Sequence, residues 1–147
     1  MVKRRSNPRI FFTKEEKSRI VQAIREAEKK TSGEIRVSLE RRLKGELMAQ
    51  AKRVFERFGM TRTEKRNGVL IYLALTSHEF AILGDRGIHE KVGEDFWKDI
   101  ASGVQNEFSQ GKFVEGLVSG VQQIGEKLKA FFPREAGDVN ELPDQIR

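Results

Sequence analysis

Seven consecutive apolar residues, Val69 to Leu75, constrain this chain more than any other feature. The run Val-Leu-Ile-Tyr-Leu-Ala-Leu is apolar on both faces, as a central strand covered from both sides must be. It falls far short of the roughly 20 residues that a helix needs to cross a bilayer. Asn67-Gly68 precedes it, and Thr76-Ser77 follows as a link short enough for a hairpin. A third strand, His78 to Leu83, is then predicted, with Phe80 and Ile82 alternating. Upstream, Glu34-Ile-Arg-Val-Ser-Leu-Glu40 alternates strictly, placing Ile35, Val37 and Leu39 on one face of a half-covered strand.

Helices fill the remainder. Thr13-Lys-Glu-Glu16 reads as a capping box, in which the hydroxyl and the carboxylate satisfy free N–H groups of the first turn. Behind it Ile20, Val21, Ile24 and Ala27 form an apolar stripe. A second helix carries Leu47, Met48, Ala51, Val54, Phe55 and Phe58, with Gly59 as its stop signal. Thr61 to Arg66 is a charged loop, Gly84-Asp85-Arg86-Gly87 a turn, and Ile88 to Val92 a short helix. Two longer helices are expected over Glu94 to Phe108 and Lys112 to Phe132. Gly116, Gly120 and Gly125 each cost about 1 kcal/mol relative to Ala in the last of them, so they read as sites of close packing. A strand, a helix and a strand imply a right-handed parallel crossover, and the hairpin adds an antiparallel neighbour. The expected fold is an α/β class three-layer α/β/α sandwich, a small mixed sheet covered by about four helices. It occupies residues 12–133, between a basic N-terminal arm (1–11) and an acidic C-terminal tail (134–147).

Composition narrows the chemistry. The 147 residues include no cysteine and two histidines, His78 and His89. Disulfides, thiolate catalysis, Cys-ligated zinc and an all-histidine metal site are therefore excluded. Residues 1–66 hold 20 Lys/Arg against 9 Asp/Glu, whereas residues 67–147 hold 8 against 13. Anion or nucleic-acid binding through the basic half is one reading of that split, with Lys3, Arg4, Arg5 and Arg9 as an arm for phosphates. Solvated helix faces are the commoner outcome in a charge-rich chain, and a nucleic-acid partner is not expected. The acidic tail, with oxygen donors at close intervals over Asp138 to Asp144, is expected to dock along the domain through Val139, Leu142 and Ile146 or to stay loose, and the charge split would let it fold back on the basic helices. No apolar stretch follows the basic N-terminus, so the expectation is a cytoplasmic, monomeric protein without a membrane span.

The topology brings three distant residues together. With the first two strands parallel and the third antiparallel, Glu34, Asn67 and Asp85 all fall at one rim of the sheet. Two carboxylates and an amide carbonyl are hard oxygen donors that suit calcium or magnesium. In the alternative, Asn67 and Asp85 are turn formers and Glu34 pairs with Lys30.

Thr31-Ser-Gly-Glu-Ile-Arg-Val37, Arg66-Asn-Gly-Val-Leu-Ile-Tyr-Leu-Ala74 and Gly84-Asp-Arg-Gly-Ile88 resemble the successive signatures of the TPM domain family. The glycine-spaced segment Phe113 to Ile124 is similar to that family's last helix. Gly87 to Gly93 with Phe96-Trp97 resembles a compact, stand-alone subgroup. The resemblance implies an α/β/α sandwich. It also implies a divalent-metal site and the phosphatase activity associated with some members; Asn67, Gly68, Asp85 and Glu34 match the motif positions. On that basis the chain reads as a binding or regulatory module with calcium or magnesium at Glu34, Asn67 and Asp85, acting on a protein or phosphorylated partner. The alternative is a metal-dependent acid phosphatase, in which a cation activates water, Arg86 pairs with phosphate oxygens and His89 moves protons. Arg86 capping the rim and His89 as a polar residue near a helix start are the plainer readings of those two.

Overall fold

The apolar run does become the middle strand. In the computed structural model, which describes residues 4–134, β2 (Gly68–Ala74) lies between β1 (Glu34–Glu40) and β3 (Glu79–Gly84). All seven of its residues are buried. β1 pairs with β2 in parallel, Glu34 opposite Gly68 and Glu40 opposite Ala74. β3 returns antiparallel, Glu79 opposite Ala74 and Gly84 opposite Val69. The third strand starts one residue later than its alternation suggests, because His78 takes a left-handed φ of 55° in the hairpin turn.

Among the described residues five α-helices surround the sheet: α1 (Lys14–Glu28), α2 (Leu47–Arg57), α3 (Arg86–Val92), α4 (Lys98–Ser109) and α5 (Phe113–Phe131). The capping box at Thr13 forms as its sequence requires, with Glu16 N–H donating to Thr13 Oγ1 at 3.1 Å and Thr13 N–H donating to Glu16 Oε1 at 2.9 Å. Two helix starts differ from the sequence reading. Asp85 N-caps α3, so Arg86 and Gly87 belong to the helix and not to a turn. Glu94–Trp97 forms a separate 3-10 turn before α4, so the expected single helix from Glu94 is divided.

Side chains on one face of β1 and β2, Ile35, Val37, Leu39, Val69, Ile71 and Leu73, join the larger core beneath α1, α5 and α4. Leu70, Tyr72, Ala74, Ala81 and Leu83 face the other way, onto Ala51, Val54 and Phe55 of α2. The result is the three-layer α/β/α sandwich. α5 lies between α1 and α4, and its glycines make that possible. A Cβ at Gly120 would come within 2.9 Å of Val104, and one at Gly125 within 2.7 Å of Ala27.

The basic arm is anchored from Arg4 onward. Its guanidinium donates to both oxygens of Glu16 (2.7 and 2.8 Å) and to the Phe11 carbonyl (2.8 Å), and lies over the rings of Phe11 and Phe12. Phe11 and Phe12 are themselves buried, so the arm's end is part of the core. The tail motif Asp138 to Asp144 and its expected fold-back lie outside the described residues.

Candidate functional site

The three segments that carry the glycine-containing motifs meet at one rim of the sheet, where backbone bonds lock them together. Glu34 N–H donates to the Asn67 carbonyl (3.4 Å), Asp85 N–H to the Gly68 carbonyl (2.9 Å), and Gly87 N–H to the Arg66 carbonyl (2.9 Å). Gly87 is required there, because a Cβ would lie 2.2 Å from the Lys65 carbonyl oxygen and 2.6 Å from that of Arg66. Arg66 itself has a φ of 51°, a left-handed conformation that non-glycine residues seldom adopt. The sheet register thus places Glu34, Asn67 and Asp85 at one rim, as strand direction alone implied.

Their side chains are engaged with other partners. Asp85 receives a two-point grip from Arg66, Nε to Oδ2 at 2.7 Å and Nη2 to Oδ1 at 2.9 Å, and also accepts from the Arg86 N–H at 2.8 Å. The hydrogen bond to Asp85 raises the Arg66 guanidinium above its ordinary pKa, so this residue stays charged throughout. Asn67 donates through Nδ2 to Ser32 Oγ (3.3 Å), while its N–H donates to Thr63 Oγ1 (3.1 Å). Glu34 is buried with Oε1 3.6 Å from Arg36 Nη2. Lys30, the partner that local sequence suggested for Glu34, instead meets Glu126 on α5 at 2.6 Å. Among the described residues no group of three or more His, Cys, Asp or Glu side chains is placed to hold a metal ion. As oxygen donors the rim residues suit a hard cation, but in this arrangement both carboxylates face arginines.

Arg86 and His89, the residues considered for phosphate binding and proton transfer, are both exposed on α3. Arg86 contributes its backbone N–H to the Asp85 cap. Among the described residues neither side chain has a hydrogen bond or ion pair that would orient it for chemistry.

Sequence reasoning missed the polar face of β1. Alternation suggested that Glu34, Arg36 and Ser38 would look toward solvent, yet all three are buried. Arg36 Nη1 donates to Glu28 Oε2 (2.9 Å) and to its neighbour's carbonyl at Ile35 (2.5 Å), and Ile35 N–H donates to the same Glu28 oxygen (2.9 Å). Glu28 thereby joins the end of α1 to the start of β1. At the far end of the strand, Glu40 Oε1 accepts from Tyr72 Oη and Gln50 Nε2, both at 2.7 Å, and Oε2 accepts from Arg57 Nη2 at 3.1 Å. Burial opposes the Glu40 charge, but those three donors outweigh it and lower its pKa. Burial first, and then the Glu40 carboxylate, push the Tyr72 phenol above its usual range. Two signals were present: a phenol inside an otherwise aliphatic run, and Gln50 on the apolar stripe of α2.

Comparison with known proteins agrees with this geometry. No curated protein matches. The solved structures include one that is similar over nearly its whole length, the NMR structure of BA42 protein from the psychrophilic bacterium Bizionia argentinensis. It is 44% identical, covers 97% of this chain and 98% of its own, and superposes with a TM-score of 0.90. No helix among the described residues is long and apolar enough to cross a membrane. The model of the TPM domain matches residues 7–127, a span containing β1, β2, β3 and the rim they form, and the chain belongs to the TPM domain family.

Proposed function

We propose that this TPM domain is a binding and regulatory module that responds to calcium or magnesium at the sheet rim, with Asp85, Asn67 and Glu34 as oxygen ligands. The Asp85–Arg66 pair carries the reading. A buried carboxylate at the junction of three motif segments already holds a cation, and that cation is a side chain, 29% exposed, on a loop in a left-handed conformation. A divalent ion supplies more charge to the same carboxylate and competes with the guanidinium. Both ions prefer oxygen donors, and magnesium retains water while binding through one or two carboxylates. Exchange of Arg66 for the ion releases the guanidinium from Asp85 while the backbone bonds of the rim remain, which converts ion binding into a change of surface charge. The ion shifts that equilibrium only by its differential affinity for the two arrangements.

Binding is favoured over hydrolysis because a phosphate clamp and a proton donor need fixed positions. Arg86 and His89 have no such support among the described residues. Calorimetric titration with calcium and with magnesium tests the reading. Wild type is expected to bind, Asp85→Asn to lose most affinity, and Arg66→Ala to bind more tightly because the competing cation is gone. Absence of heat and of thermal shift in both wild type and Arg66→Ala overturns it.

A further inference from the structure

The free side of β3 is an open strand edge set in a groove. Among the described residues β3 is an outer strand, hydrogen-bonded to β2 alone. The Asp85 N–H to Gly68 carbonyl bond fixes the phase of the ladder. Antiparallel pairs alternate between hydrogen-bonded and non-bonded, so Leu83, Ala81 and Glu79 direct their backbone groups to β2. Phe80 and Ile82, both partly exposed, direct theirs outward, and among the described residues these N–H and C=O groups have no hydrogen-bond partner; Gly84 shares that phase but is buried against Trp97. Natural edges are usually blunted by Lys, Pro or a bulge. The segment from Phe80 to Gly84 has none of these.

Helices flank this edge on both faces, leaving it open to the side. A groove of about 740 Å³ runs along it, with Trp97, Ala101, Ser102 and Gln105 from the α4 side and Met48 of α2 across the sheet. The reason is geometric. Helices pack roughly 8–10 Å apart and strands about 4.8 Å apart, so α1, α5 and α4 side by side are wider than three strands. Residues of α4 accordingly line the groove beside β3. Phe80 and Ile82 are only partly buried beneath them, and Met48 is 38% exposed on the opposite wall. Small side chains at Ala101 and Ser102 leave the space open.

We propose that β3 takes up an extended peptide segment of a partner protein by strand addition. Main-chain bonds to Phe80 and Ile82 would supply the affinity, and alternate apolar side chains would lie against the same two residues. Charge defines the ends. Lys98 lies at the Gly84 end, next to Trp97, which packs on Gly84, and its described partner is the exposed Asp95 at 3.0 Å. Exposed Glu79 marks the other end. The complementary segment therefore carries an acidic residue at the end meeting Lys98, a basic residue at the end meeting Glu79, and apolar residues alternating between them. A second copy of this chain fits less well, because its own α2 and α4 would meet the helices that flank the edge, whereas a bare strand would not.

The probe is a capped peptide of that pattern, with valine at the alternate positions, made in both chain directions and added in millimolar amounts to the full chain. Without peptide, the Phe80 and Ile82 amides should exchange rapidly with solvent while those of Ala81 and Leu83 are protected. One direction of the peptide should slow exchange at Phe80 and Ile82 about tenfold or more, and its N-methylated twin should not. The Ile82→Pro variant removes an outward N–H that β2 does not use, so it should fold and lose binding. No added protection at Phe80 and Ile82 in either direction overturns the proposal, as does equal protection by the N-methylated twin. Self-association of the chain that Ile82→Pro abolishes overturns it in favour of a second copy.

Discussion

Arg66 and Asp85 are 19 positions apart in sequence, yet they meet through two side-by-side bonds of 2.7 and 2.9 Å that tie the loop before β2 to the end of β3. The same carboxylate caps α3 through the Arg86 N–H. Asp85 therefore holds three elements, and its two roles separate by substitution. Asp85→Asn retains a capping oxygen and loses the charge that Arg66 requires; Asp85→Ala loses both. Urea unfolding should find Asp85→Ala less stable than Asp85→Asn by about 1 kcal/mol, the usual worth of a cap. Equal stabilities would show that the cap contributes nothing.

Gly87 and Gly103 should respond oppositely to alanine. At Gly87 an added Cβ meets backbone oxygens at 2.2 and 2.6 Å, which cannot move without shifting the Arg66 loop. Gly87→Ala should cost roughly 1–3 kcal/mol or more. At Gly103, inside α4, nothing lies within 4 Å, and alanine should stabilise by about 0.4–1 kcal/mol. Thermal melts of the two variants check both signs, and a stable Gly87→Ala would contradict the close packing of the rim.

Glu16 links stability to acid. Its hydrogen bonds with Arg4, supported by the Thr13 backbone, lower its pKa from 4.5 to about 2. A depressed carboxylate stabilises the fold above its unfolded value and loses that contribution as pH falls from about 4.5 toward about 2. Wild type should melt above Glu16→Gln at neutral pH, and the gap should close across that acid window. A gap that stays constant through it would mean that Arg4 and Glu16 do not pair in solution.

Tyr72 is the chain's one tyrosine, so phenolate absorbance reports it alone. Its ordinary value is 10.0, and burial with the Glu40 bond raises it in the fold. The unfolded phenol ionises first, so stability should fall as pH rises beyond 10.0, and phenolate should appear only with unfolding. Tyr72→Phe leaves Glu40 short of a donor and should cost about 1–2 kcal/mol by urea unfolding. Phenolate forming in the intact fold near the ordinary value would refute the buried network.

Much of this architecture was legible before any coordinates. A seven-residue run apolar on both faces admits few places other than a sheet centre. Strict alternation in Glu34–Glu40 and a hairpin-length link after Leu75 then fixed strand order and direction. Those directions sufficed to place Glu34, Asn67 and Asp85 at one rim, because the ends of parallel and antiparallel strands follow from topology alone. The Thr13 capping box and the helix end at Gly59 were equally visible, since both depend on contacts a few residues apart.

What the sequence could not determine is which groups those rim side chains face. Arg66 on Asp85, Arg36 on Glu28 and Glu34, and Lys30 on Glu126 are all choices among many cations of similar intrinsic strength. Only the packed backbone selects among them, by setting which charges come within reach and, for the buried pairs, by excluding water. The buried polar face of β1 and the open edge of β3 share that origin. Alternation shows which side chains share a face, but whether that face or edge is covered depends on the width of the helical layers and where they end.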